Sequence, residues 1–407
     1  MYLKRERYLN IIRPYYDVDL IKVITGVRRC GKSVILQSIQ DEIIASGTAP
    51  DHVISINLED LDYEYITNAS ELNRDIKSRI RDDQRYYIFL DEIQHVEEFE
   101  KALASLRASL NCSIFVTGSN STLLSGELAT LLTGRTVEFE ILPFSYSETV
   151  EYLTLMGRHP DDQLLYDYLK WGGFPLRFQF TEDNSIRRYL DGLYTGIVNR
   201  DIAYRGSHID RRAFLDISRY LLANAGMEFS AENVVNYYSS GSRGRTLSVK
   251  TVYNYLEKMK KAYLIHAVSK YDITGKAALK NKEKYYAIDT GFRIINTNSI
   301  QYSNSFFLEN VVYNELLFQG FQVYIGKTYK GEVDFIAIKN GKKCFLQVSY
   351  LMTTEQTISR EFGAFAPISD ASPKYVLSLD RVDMSRDGII HLNLEDFLLH
   401  RKELMLS

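Results

Sequence analysis

Eight residues constrain this chain most: GVRRCGKS, Gly26 to Ser33, set between an apolar strand-like run and the first amphipathic stretch. The spacing is G-x-x-x-x-G-K-[ST], and a strand before it with a helix after it is the setting in which that spacing has physical meaning. Glycines let backbone N–H groups curl round phosphate oxygens, and a helix N-terminus favours negative charge beside it. Lys32 would reach the β- and γ-phosphates of a nucleotide, with the Ser33 hydroxyl on Mg²⁺. Gly26, Val27, Arg28, Arg29, Cys30 and Gly31, with Val34 behind them, would line the same site.

The residues around the loop fit that demand. Short β-branched or aromatic runs at Leu20–Thr25, His52–Leu58, Tyr86–Leu90, Ser113–Thr117 and Thr136–Leu142 read as strands. Between them Ser33–Ala45, Ser70–Arg81 and Phe99–Leu110 carry apolar residues at helical spacing. Strands alternating with helices imply a parallel sheet covered on both faces, an α/β fold.

Two further elements belong with the loop. YYIFLDEIQ, Tyr86 to Gln94, is an apolar strand ending in paired carboxylates. Asp91 is placed to hold Mg²⁺, directly or through water, and Glu92 to act as general base on a water. VTGSN, Val116–Asn120, sets polar side chains just past another strand, where open α/β sheets bind ligands. Ser119 or Asn120 would hydrogen-bond the γ-phosphate or orient the water; a helix N-cap by Ser119 or Ser121 is the structural alternative.

Here the chain resembles the AAA-type ATPases of the additional-strand P-loop class, in a bacterial and archaeal family with a C-terminal nuclease-like domain. GVRRCGKS, FLDEIQ, VTGSN, LLTGRTVEFEILPFS, GGFP, FLENVVYNEL, GEVDFIAI and FLQVSY carry the resemblance in order. It implies a 5-1-4-3-2 strand order and ATP with Mg²⁺ as cofactors. By that resemblance Arg135 is the arginine at the fourth-to-fifth strand transition, stabilising γ-phosphate charge in cis or from a neighbouring subunit. Gly173 and Pro175 would be a Gly-x-Pro element packed on the nucleotide base. The expected division is a P-loop ATPase core over 1–143, a helical lid over 144–205, a winged helix over 206–300 and a nuclease-like α/β domain over 301–407.

Charge bears on the third of these. The whole chain carries a formal −3, which alone disfavours nucleic acid. Yet between Arg243 and Lys284 eleven Lys and Arg face three acids, a local +8. SVKTVYNYLEKMKKAYLI, Ser248 to Ile265, reads as an amphipathic helix with Val249, Val252, Tyr253, Leu256 and Met259 inward. Lys250, Thr251, Asn254, Tyr255 and Lys258 would then face outward, and Lys250, Asn254 and Lys258 are the candidate DNA contacts. A solvated charged face or a regulatory lid is the bland alternative.

The last region resembles the restriction-endonuclease-like fold, whose active members gather a helical Glu, an Asp and Glu-x-Lys round Mg²⁺. The helix here offers Glu309 and Glu315, and the strand offers Asp334 with Glu332 two residues before it. Gln347 replaces the usual carboxylate and Ser349 the lysine, with Lys342 or Lys343 the nearest substitutes. A vestigial site at Glu309, Asp334 and Gln347, on a fold kept for binding, is the favoured expectation.

Three scattered cysteines, a charged start and no run of 18 apolar residues point to a cytoplasmic protein without a membrane partner. The leading expectation is a Mg²⁺-dependent ATPase that couples nucleotide state to a DNA-binding or nuclease-like arm and forms a homo-oligomer. The alternatives are a slow-turnover nucleotide switch controlling assembly, and an ATP-regulated Mg²⁺-dependent DNA nuclease.

Overall fold

The computed structural model describes residues 2–119, 132–203, 210–241, 247–273, 275, 277–297 and 304–406. Asn120, Arg243, Arg245 and Lys276 lie outside them, as do the side chains of Lys280 and Lys282. Two compact units form: Met1–Leu142 with Lys261–Tyr263, and Pro143–Lys260 with Leu264–Ser407.

In the first unit α1 (Glu6–Ile12) precedes β1 (Ile21–Thr25), α2 (Lys32–Ala45), β2 (Val53–Asn57), α3 (Ala69–Arg79), β3 (Tyr86–Asp91), α4 (Phe99–Ser109), β4 (Cys112–Thr117) and β5 (Thr136–Glu140). All pairings are parallel and the order is β2-β3-β4-β1-β5, the one the resemblance implied. Each expected strand and helix is present, with ends shifted by two residues or fewer. Because β1 lies between β4 and β5 and is covered on both faces, all five of its residues are buried, Lys22 included. Alternate residues of β1 to β4 meet Leu72, Ile76, Leu103 and Leu106 from α3 and α4 in one core.

The second unit continues with α5 (Tyr146–Leu155), α6 (Leu164–Trp171), α7 (Asp183–Ile197), α8 (Arg211–Ala223), α9 (Ala231–Gly241) and α10 (Val249–Lys261). A ribbon, β6 (Ile265–Asp272) and β7 (Ala277–Ala287), follows, then α11 (Thr290–Asn296) and α12 (Asn304–Phe318). The chain ends with β8 (Gln322–Lys327), β9 (Glu332–Lys339), β10 (Lys342–Val348), α13 (Glu355–Gly363), β11 (Lys374–Ser378), β12 (Ile389–Asn393) and α14 (Leu394–Leu398). Asn340 and Gly341 join β9 to β10 with φ of 53° and 75°, the left-handed pair that a two-residue hairpin loop needs.

Three helices lead into an antiparallel ribbon, β6 against β7. What the sequence does not reveal is that β6 also pairs in parallel with β8, so a single seven-stranded sheet runs β12-β11-β10-β9-β8-β6-β7. The face of α10 also needs correction. Tyr255 points inward, its ring 5.1 Å from that of Phe214, while Tyr253 is 50% exposed and Val249 is exposed as well. Both tyrosines suit a boundary between core and water, so a one-helix pattern could not order them. No described helix is long and apolar enough to cross a membrane.

Candidate functional site

The first site grows from the end of β1. Gly26 has a φ of +134°, and a Cβ there would lie 2.2 Å from the carbonyl oxygen of Ile141, so only glycine fits. Gly31, at φ +107°, turns the chain into α2, whose first residue is Lys32. Lys32 is 4% exposed, and its Nζ donates to the Gly26 and Val27 carbonyls at 3.1 and 3.3 Å, inside the loop's curve. Ser33 opens to solvent one residue later, and Arg28 is drawn aside to Glu59 at 2.5 Å. Val27 and Cys30 are buried beneath the loop. An anion-accepting loop, an ammonium at its centre and a hydroxyl at the helix start fit a nucleotide phosphate with Mg²⁺.

The ends of β3 and β4 supply the rest. Thr117 Oγ1 donates to Asp91 Oδ1 and accepts from the Glu92 backbone N–H at 2.9 Å, locking the two carboxylate residues to β4. Glu92 has a φ of 55°, a left-handed conformation rare for a side-chain-bearing residue and a common mark of functional sites. Gln94 Nε2 donates to Glu92 Oε2. Ser119 is buried just beyond β4.

Parallel strands put these groups at one edge of the sheet and Arg135 at the other. Arg135 is exposed, and its carbonyl accepts from Ile21 N at 2.8 Å, at the start of β1. The length of β1, roughly 16 Å at about 3.3 Å per residue, separates it from the loop, far more than an arginine spans. Of the two routes open to it, action within its own site has no support in this register.

Arg5 escaped the sequence reading altogether. It is 2% exposed, and its Nη1 donates to the Cys30 carbonyl at 3.1 Å and the Leu142 carbonyl at 2.9 Å. The Tyr8 hydroxyl accepts from Leu142 N at 3.0 Å. The start of the chain thus fastens the loop to the segment after β5, and no local pattern announces it.

In the second unit Gly173 has partners of its own. Gly173 N donates to Asp289 Oδ2 at 2.6 Å, its carbonyl accepts from Phe144 N at 2.9 Å, and a Cβ on it would lie 2.0 Å from the Phe144 carbonyl oxygen. Pro175 begins a short helical turn, Pro175–Gln179. Burial pushes the Asp289 carboxyl up to about 6, against the two backbone N–H groups of Gly173 and Gly291.

A cleft of about 710 Å³ in this unit is lined by Glu309, Glu332, Asp334, Gln347 and Glu361 among others. It brings together the three expected residues Glu309, Asp334 and Gln347. Asp334 Oδ2 accepts from Val348 N at 2.8 Å, and Gln347 Oε1 from Asp334 N at 3.3 Å. Burial, then the Asp334 charge, pushes Glu309 up to about 8; burial pushes Asp334 up to about 7 against the Val348 N–H and Lys284. Glu315 lies elsewhere, its Oε1 2.7 Å from His400 Nε2. Lys343 is paired with Asp370 at 2.6 Å, so it does not replace the lysine that Ser349 displaces. Lys284, from β7, comes closer: its Nζ is 3.1 Å from Glu332 Oε2, and its charge acts on both Glu309 and Asp334. Among the described residues no three His, Cys, Asp or Glu side chains are grouped to hold a metal ion.

On α10, Lys250 and Asn254 are exposed and Lys258 is half-buried. Lys270 and Lys284, which sequence counted toward a basic surface, are buried instead and share Glu332.

Residues 19–150 match the model of an AAA domain, and residues 162–299 that of a domain of unknown function, DUF8612. An uncharacterised protein of Haemophilus influenzae is 36% identical over 402 residues, covering 98% of each chain. The uncharacterised protein MJ1544 of Methanocaldococcus jannaschii is 30% identical over 392 residues, 93% of this chain and 83% of that protein. Among solved structures, the ORC2 protein of Aeropyrum pernix covers 64% of this chain and 84% of its own, at 12% identity and a TM-score of 0.37. AMPPCP-bound DnaA of Aquifex aeolicus does so over 64% and 89%, at 13% identity and a TM-score of 0.34. With a match to an AAA domain over residues 19–150 and likeness to the two uncharacterised proteins over 98% and 93% of its length, the chain belongs to the family that they represent.

Proposed function

We propose that this protein binds and hydrolyses ATP with Mg²⁺ in its first unit, and that nucleotide state governs a DNA-contacting second unit. The observation that carries the reading is the convergence at one sheet edge of the Gly26–Ser33 loop, Lys32, the Thr117-anchored Asp91 and Glu92. Lys32 and the loop N–H groups hold the phosphates, and Ser33 and Asp91 are the ligands for magnesium. When bound, Mg²⁺ offsets charge on the phosphoryl group in transfer. Glu92 accepts a proton from the attacking water. Arg135, at the far edge, serves the site of a neighbouring copy, which makes the active form an oligomer. The basic face of α10 contacts DNA phosphates through Lys250, Asn254 and Lys258.

Phosphate release by the purified protein, with Lys32→Ala and Glu92→Gln beside it, tests the core of this. If neither variant differs from wild type, the site is assigned wrongly. Negligible turnover with ADP retained through purification would instead favour a nucleotide switch that controls assembly.

A second reading draws support from the cleft, where the charge of Lys284 acts on Glu309 and Asp334 although Ser349 stands in the place of the usual lysine. It is metal-dependent cleavage of DNA. Wild type that cuts neither plasmid nor linear DNA with Mg²⁺ or Mn²⁺, or that cuts as well with Asp334→Ala, rules it out.

A further inference from the structure

Gln94 has two hydrogen-bonding ends, and the two are treated differently. Its Nε2 donates to Glu92 Oε2, whereas its Oε1 is buried with no partner among the described residues. A buried amide oxygen without a donor is an expensive arrangement, and natural proteins rarely keep one without use for it. Its place is telling. Gln94 lies in the short turn Ile93–His95, which the left-handed Glu92 starts, and Glu92 is pinned at its own N–H by Thr117. Backbone strain, the Thr117 anchor and the Gln94 amide therefore all fix one carboxylate, and leave a carbonyl oxygen next to it in need of a donor.

We infer that Gln94 is the water-holding and base-positioning residue of the hydrolytic site, an inference that rests on the ATPase reading above. Water brings two protons. In the step, the water oxygen forms a bond to the γ-phosphorus, and one proton passes to the Glu92 carboxylate. The bond between that phosphorus and the β–γ bridging oxygen breaks, its electron pair leaving with ADP. The second proton stays on the attacking oxygen and is donated in a hydrogen bond to Gln94 Oε1. The same amide holds Glu92 Oε2 through Nε2, so one side chain sets the spacing between base and water. Orientation of this kind acts on turnover and leaves nucleotide affinity alone.

The deciding variant is Gln94→Met, of similar length and without either hydrogen-bonding group. Steady-state ATP hydrolysis and equilibrium ATP binding are measured on the full-length protein, alone and in a Glu92→Gln background. The expected result is a kcat lower by on the order of 10- to 100-fold with ATP affinity within about twofold of wild type. In the Glu92→Gln background the second change should cost almost nothing, because the base it positions is already gone. Gln94→Asn should recover part of the loss. A kcat within twofold of wild type overturns the inference while leaving the ATPase reading intact. So does a parallel loss of ATP affinity or thermal stability, which marks a structural role. If Lys32→Ala and Glu92→Gln are as active as wild type, the ATPase reading falls and the inference with it.

Discussion

The loop site of the first unit and the cleft of the second use similar groups, carboxylates with a lysine near them, under opposite conditions. In the loop site the carboxylates are held in place by hydrogen-bond donors: Thr117 on Asp91 and Gln94 on Glu92. In the cleft burial dominates and pushes Glu309 and Asp334 up to about 8 and 7, toward their protonated forms. The first arrangement suits a base and a ligand for a hard cation, both of which need the anion. In the second, burial disfavours the anion, and a cation entering the cleft would favour it. The loop site thus fixes its carboxylates through donors on β4 and in the turn after β3, whereas burial governs those of the cleft.

The largest effects should appear where the loop site is broken. Lys32→Ala is expected to abolish ATP binding, and Glu92→Gln to retain ATP while turnover drops by at least about 100-fold. Arg135→Ala should slow turnover on a similar scale, on the order of 1000-fold for a charge-stabilising arginine. Because Arg135 lies at the opposite edge of its own sheet, mixing Arg135→Ala with Lys32→Ala protein should restore activity. A mixture no more active than its parts would remove the proposal that neighbouring copies complete the site.

Next in size is a change confined to the second unit. Gly173→Ala sets a methyl 2.0 Å from the Phe144 carbonyl oxygen, and overpacking against backbone should cost about 1–3 kcal/mol. Thermal unfolding should show the loss. ATP binding by the variant near wild-type affinity would separate this glycine's packing role from any nucleotide role.

Titration gives a finer contrast. The folded-state pKa values of Glu309 and Asp334 lie above their usual carboxyl values, so the folded protein holds protons that the unfolded chain releases. That stabilisation is full below about pH 4 and is lost as pH rises through about 7 and 8. The melting temperature of Glu309→Gln plus Asp334→Asn should therefore fall less than that of wild type between pH 5 and pH 9. Equal slopes would mean that the cleft carboxyls are already ionised, and the contrast with the loop site would collapse.

The two sites also differ in how much of them can be read from sequence. A phosphate loop is built from backbone N–H groups over eight consecutive residues, so its glycines, lysine and serine stand in one line of text. Asp91 and Glu92 are legible for the same reason: parallel strands must end at one edge. The cleft draws Glu309, Asp334, Gln347 and Glu361 from four elements, and the charge of Lys284 reaches it from a fifth. Lys284 could not be placed, because its strand belongs to a ribbon whose attachment to β8 is a long-range pairing with no local signal. Arg5 was missed likewise, since its partners Cys30 and Leu142 lie up to 137 residues away. Lys22 shows the limit from the other side. A lysine in a strand suggests a solvent face, yet its Nζ is satisfied inside by the Val18 carbonyl and Ser113 Oγ, at 2.8 and 2.7 Å.

The smallest effect concerns charge on the second unit. Net charge over a sequence window assumes that every lysine faces outward, and Lys270 and Lys284 do not. What remains for DNA on α10 is the exposed Lys250 and Asn254 with the half-buried Lys258. Lys250→Glu plus Lys258→Glu should therefore weaken duplex binding modestly at physiological salt. It should also lower the slope of log affinity against log salt by about 2, at about 0.9 per phosphate contact. Lys270→Gln should leave that slope unchanged, since its charge is already neutralised by Glu332 and Glu228. A fall in slope with Lys270→Gln as large as that with the double variant would mean the inward pairing opens on DNA. In that event the cleft and the basic helix face would be parts of one binding surface.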